Sequence, residues 1–119
     1  MNGLVINLTH SVDDVDRTSV AIVVAGASVA SSQKTTVFLS SEGTRLAVKG
    51  VAETLHEEGF APMSELVDSY VEAGGTFLVC SPCAKKRGFG EDDLIEGASI
   101  VGGATLVALL ADGASSLSF

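Results

Sequence analysis

Strand-like and helix-like segments alternate along the whole chain, and this constrains the fold more than any other feature. Leu4–Leu8 (LVINL), Thr36–Leu39 (TVFL), Thr76–Cys80 (TFLVC), Ala98–Val101 (ASIV) and Ser115–Phe119 (SSLSF) read as short strands, the last at an edge. A helix is predicted from about Val15 to Ser31, capped by Asp13 or Asp14. It is apolar almost all round, with Val20, Ile22, Val23, Val24 and Val29 set among alanines, which predicts burial on more than one side. Glu42–Val51 reads as a short helix with breakers at Gly43 and Gly50, and Ala52–Phe60 as irregular. Pro62–Ala73 is an amphipathic helix with Pro62 in its first turn and Gly74-Gly75 at its end. Gly103–Asp112 is an apolar helix. This order predicts an α/β domain with a mostly parallel sheet. The 119 residues make one domain, 1–119, large enough to bury a core without staples.

Charge narrows the function. Seven Lys and Arg stand against fifteen Asp and Glu, a net charge of −8, with one tyrosine and no tryptophan. Phosphate neutralisation needs a basic face, so the chain is a poor candidate for direct nucleic-acid binding, and an equally poor one for an anionic membrane surface. The longest apolar stretches, Val20–Ala30 and Ala98–Ala111, fall short of the roughly 20 residues that span a bilayer. The start, MNGLVINLTHSVDD, lacks a basic region and turns acidic early, unlike a signal peptide. The expected location is the cytoplasm. A chain this small and 46% apolar is expected to hide surface in contacts with copies of itself.

Both cysteines fall in one stretch, FLVCSPCAKKRG, where Cys80 ends a predicted strand. In parallel sheets, sites lie beyond the carboxyl ends of the strands. Ser81 is expected to cap the next short helix, Pro82 to occupy its first position, Cys83 its first turn, and Gly88 to follow its end. Helix N–H groups and the cations Lys85, Lys86 and Arg87 are expected to lower the thiol pKa and make a nucleophile. Four readings compete: cysteines that merely pack, a zinc site, a thioredoxin-type dithiol, and a sulfur carrier. Zinc needs four ligands, and only His10 and His56 remain, neither at metal-binding spacing. No metal or cofactor is expected. The CxxC suits a dithiol, but it comes about two thirds along the chain rather than near an early strand. A carrier needs an accessible, acidic cysteine that accepts sulfur as a persulfide.

Over essentially its whole length the chain resembles the DsrE/DsrF/TusD-like proteins, most closely the small YchN-like members. The resemblance rests on LVINL, VFLSSEGTRLAVKG, FLVCSPCAKKRG and the ending LVALLADGASSLSF. The signature is a strand ending in Cys, seven residues, then Gly, here Cys80 and Gly88, with Cys83 matching the second cysteine of YchN-like members. The resemblance implies a three-layer α/β/α sandwich with a five-stranded sheet, assembled as a homo-oligomeric trimer or hexamer. It also implies a persulfide carrier, a possible sulfurtransferase working between sulfur donor and acceptor proteins. In that reading Cys80 is the nucleophile and carrier, and Cys83 resolves it. Ser81, Lys85, Lys86 and Arg87 set its acidity. One departure is the loop after the first strand, THSVDD, where relatives often carry glycine. The alternative is a non-catalytic oligomer that binds a small ligand or partner, or a dithiol redox protein.

The remaining candidates are weaker. His10 follows the first strand and is a candidate proton donor or acceptor beside Cys80. Ser40, Ser41 and Glu42 line the mouth or cap a helix. Glu91-Asp92-Asp93 either cap the segment after Gly90 or pair with the cationic run.

Overall fold

The computed structural model describes residues 3–119. Five strands, β1 (Leu4–Leu8), β2 (Thr35–Leu39), β3 (Thr76–Cys80), β4 (Ala98–Val101) and β5 (Ser115–Ser118), form one sheet in the order β4-β3-β2-β1-β5. Every pairing is parallel. The helices are α1 (Val15–Ala30), α2 (Met63–Glu72), α3 (Ser81–Arg87) and α4 (Gly103–Ala111). The chain steps from β1 to β4 in one direction and returns past β1 to β5. Right-handed crossovers therefore put α1 and α2 on one face and α4 on the other, which gives three layers.

The two faces differ in completeness. On one, Ile6, Leu8, Val37, Leu39, Phe77 and Val79 join Ala21, Ile22 and Ala25 of α1 and Met63, Val67 and Tyr70 of α2 in a buried core. Tyr70 meets Phe77 edge to face, with ring centroids 5.1 Å apart. Its hydroxyl donates to the Thr76 carbonyl at 2.7 Å. A Cβ at Gly75 would lie 2.2 Å from the Tyr70 ring, so this glycine makes room for the tyrosine. On the other face Val5 and Phe38 are buried outside that core. No residue of α4 or β5 is buried, and Val107 is 65% exposed.

Three local expectations change. α1 is buried on one side only, with Val20 and Val23 exposed, because only the sheet and α2 cover it. An Ala- and Val-rich helix does not signal in sequence which side that is. The helix expected over 42–51 is a 3₁₀ turn, Ser41–Ala47, followed by a second turn, Ala52–Thr54. It is tight because Gly43 presses on β1: a Cβ there would stand 2.2 Å from the Leu8 carbonyl oxygen. Pro62 precedes α2 with extended ψ rather than entering its first turn. The α1 cap is Asp14, whose carboxylate accepts from the Arg17 N–H at 3.0 Å. Among the described residues no helix is long and apolar enough to cross a membrane.

Candidate functional site

Strand register builds the site. Leu8 lies opposite Leu39, Leu39 opposite Val79, and Cys80 opposite Val101, so the carboxyl ends of β1 to β4 form one crest. Adjacent strands are about 4.8 Å apart, so the turn after β2 stands directly beside the cysteine segment after β3. There the Ser41–Ala47 turn packs on β3 and α3.

Cys80 itself is the cap residue of α3, with extended backbone, φ −60° and ψ 120°. Ser81 is therefore one residue further in than expected. It is exposed, and its side chain makes no hydrogen bond among the described residues. Ser81 enters the helix against the preference of Pro82, which disfavours helical backbone at the residue before it. Gly88 ends α3 in the left-handed region, φ 81° and ψ 23°, which suits glycine.

The two thiols are free and half-buried, and each shifts the acidity of the other. Burial pushes the Cys80 thiol up, and donating its S–H to Cys83 holds the proton there. The Cys83 backbone N–H and Arg87 oppose this without reversing it. Burial also acts against the Cys83 thiolate. It is outweighed by the Cys80 S–H, the Ser41 backbone N–H and the charges of Arg87 and Lys86, so the Cys83 pKa is lowered. The acidity expected at Cys80 thus belongs to Cys83. The physical reason is position: Cys83, one turn into α3, faces the Ser41 turn and the cations.

A charged network frames the pair. Glu42 accepts from Arg87 Nε at 2.7 Å and from Arg45 Nε at 2.8 Å. The Arg87 guanidinium, and then that of Arg45, hold its carboxyl below the usual range. Arg87 Nη1 also donates to the Cys83 carbonyl at 3.2 Å. Arg45 stacks on Phe89, with its guanidinium carbon 5.6 Å from the ring centroid. The turn that presents Ser41 is pinned from the loop after β1. Ser11 Oγ donates to the Glu42 carbonyl, and the Gly43 N–H donates to Thr9 O at 3.1 Å. Ser41 itself has φ 51°, the left-handed region that non-glycine residues avoid.

Lys85 and Lys86 are exposed on α3, and Arg87 is half-buried. His10 lies on the same crest but two strands from β3, and its Nδ1 pairs with Asp13 Oδ2 at 2.7 Å rather than with either sulfur. Asp93 caps its own turn through the Gly90 N–H at 2.8 Å, and Glu91 accepts from the Ile100 N–H at 2.7 Å. No ion pair joins this acidic run to Lys85–Arg87 among the described residues. Ser11 and Arg45 escaped the sequence reading. The three-residue spacing of Glu42 and Arg45 was a signal for one of them; nothing local marked Ser11. Among the described residues no cluster of His, Cys, Asp and Glu has the geometry to hold a metal.

The family model for the DsrE/DsrF-like family matches residues 3–119, and the chain belongs to that family. Curated relatives include protein MJ0760 of Methanocaldococcus jannaschii, 28% identical over 87% of this chain and 37% of its own length. Protein MJ0989 of the same organism is 38% identical over 46% of this chain and 48% of its own length. The chain thus spans less than half the length of each. Among solved structures, the ychN protein of E. coli superposes over both full chains with a TM-score of 0.81 at 17% identity. MTH1491 of Methanobacterium thermoautotrophicum superposes with a TM-score of 0.69 at 18% identity, covering 98% of this chain and 97% of its own. These likenesses establish the α/β fold. Family membership points to sulfur-relay-type function.

Proposed function

We propose that this chain carries sulfur as a persulfide on the Cys80–Cys83 pair. The observation that supports the reading is the placement of two free, half-buried cysteines at the end of β3 and the start of α3, beside Arg87 and the Ser41–Ala47 turn; there the Cys83 thiol is pushed down and the Cys80 thiol up. A thiolate, not a thiol, attacks sulfane sulfur. Cys83 therefore captures the sulfur atom. Cys80, the family's carrier position, then attacks the outer sulfur of the Cys83 persulfide. The outer sulfur moves to Cys80, and the Cys80 proton ends on Cys83. If Cys80 attacks the inner sulfur instead, a disulfide forms and hydrosulfide leaves.

Two further parts belong to this proposal. The chain works as a homo-oligomer, a trimer or hexamer, because Val107, Leu110 and Leu117 are exposed on α4 and β5. It works in the cytoplasm with protein sulfur donors and acceptors, where thiols stay reduced. Sedimentation would read the first: Val107→Lys with Leu110→Lys is expected to shift the protein toward monomer, and a wild type that is already monomeric removes it.

The test of the carrier is intact mass after incubation with a cysteine desulfurase and cysteine, with and without reductant. A gain of one sulfur that reductant removes, slow in Cys83→Ser and unable to pass beyond Cys83 in Cys80→Ser, is expected. No gain, with both thiols inert, would leave the fold and remove the function.

A further inference from the structure

Four of the chain's seven basic residues, Arg45, Lys85, Lys86 and Arg87, lie in the segments that frame the two sulfurs, although the chain as a whole is acidic. Two of them share one carboxylate. Both Glu42 oxygens are engaged by guanidinium Nε groups, at 2.8 Å from Arg45 and 2.7 Å from Arg87. Two positive charges therefore meet one negative charge, which leaves an excess. The Nε contacts also fix the forks. Arg87 spends Nη1 on the Cys83 carbonyl. Arg87 Nη2 and both Nη groups of Arg45 have no hydrogen-bond partner among the described residues. Phe89 supports the Arg45 plane from one side. Such an anchored pair of forks is suited to a planar or tetrahedral oxyanion, which accepts several N–H bonds at once.

We propose that the Arg45–Glu42–Arg87 bracket is a receptor for the anionic end of a small sulfur donor, of the class in which a transferable sulfur is bonded to an oxidised sulfur oxyanion; thiosulfate is the simplest. The inference rests on the carrier reading above and names a donor class for it. The step balances without an outside oxidant or reductant. The Cys83 thiolate attacks the outer sulfur of thiosulfate, and a bond forms between Cys83 Sγ and that atom. The bond from the outer sulfur to the oxidised sulfur breaks, and its electron pair leaves as sulfite. One thiolate and a thiosulfate dianion become a persulfide anion and a sulfite dianion. The guanidiniums bind the oxyanion before the step and hold the departing sulfite after it, the form of help that fixed donors give to developing charge.

The experiment compares two reagents on the full chain. Thiosulfate loading is read by intact mass and sulfite release. Methyl methanethiosulfonate, which is neutral, reads the reactivity of the same thiolate without an anionic handle. In wild type thiosulfate adds one sulfur and releases sulfite. In Arg45→Gln and Arg87→Gln the ratio of the thiosulfate rate to the neutral-reagent rate falls about tenfold, as loss of a charged hydrogen bond predicts. The ratio cancels any change in the thiol itself, including loss of the Arg87 charge. An arm without substitutions is salt: about 0.5 M salt slows thiosulfate loading and not the neutral reaction. Ratios within twofold of wild type, or a wild type that thiosulfate does not load, overturn the receptor. Loading from the desulfurase in that case leaves the carrier standing, and no loading from either source removes both.

Discussion

The closed face of the sheet and the crest at its carboxyl end are held by opposite means. The closed face is apolar: Phe77, Val79, Leu39 and Tyr70 are fully buried, and packing fixes them. The crest is polar. The turn that carries Ser41 and Glu42 is held by Ser11 Oγ on the Glu42 carbonyl and by the Gly43 N–H on the Thr9 carbonyl, Glu42 accepts from Arg45 and Arg87, and both sulfurs are half-buried. The difference teaches where each kind of damage goes. Core substitutions are expected to change stability and leave thiol chemistry in the folded fraction, and crest substitutions the reverse.

The largest expected effect is Phe77→Ala, which empties a fully buried aromatic site against Tyr70. About 3–5 kcal/mol of stability is lost in urea unfolding, while alkylation of the folded protein keeps its wild-type pH profile. A changed profile would break the division between core and crest. Gly43→Ala crosses the division on purpose. Its Cβ meets the Leu8 carbonyl, so it is expected to lower stability by about 2 kcal/mol and, by moving Ser41 away from Cys83, to slow alkylation.

Cys83→Ser sharpens the contrast within the crest. It removes the thiol of lowered pKa and leaves the one that burial raises. Labelling with iodoacetamide at pH 7 is expected to slow about tenfold or more, with the unfolding midpoint nearly unchanged. Equal rates in Cys83→Ser and Cys80→Ser would place the thiolate on neither sulfur in preference. Cys80→Ala is milder. Cys83 loses one S–H donor but keeps Ser41 N–H and Arg87, so its alkylation midpoint moves to higher pH and stays sensitive to Arg87.

The smallest effect is at acid pH. The folded-state pKa of Glu42 lies below its unfolded value because Arg87 and Arg45 bind the carboxylate. Its contribution to stability is therefore present above the unfolded value and lost as pH falls through the folded one. Glu42→Gln is expected to flatten the drop in urea midpoint between about pH 5 and 3. An identical drop in wild type and variant would mean that the network contributes nothing to folding, in keeping with the small worth of exposed ion pairs.

Much of this protein is local information. The strands, the Asp14 cap, Gly88 after α3 and the position of Cys80 at a strand end all follow from residue type and spacing, because period, capping and φ preference act within a few residues. Both cysteines and the cations beside them were legible for the same reason. Three things were not. The buried side of α1 depends on what packs there. The tight turn at Ser41 depends on Leu8, 35 positions from Gly43 by nearest backbone contact. The Arg87–Glu42 bond spans 45 residues. Which thiol is the more acidic is set by these distant partners: the Ser41 N–H acts on Cys83 only because β2 and β3 lie side by side in register. Sequence determined that a thiol pair stands at the crest. Tertiary structure decided which of the two thiols is the more acidic, because electrostatic stabilisation depends on distances through space and not along the chain.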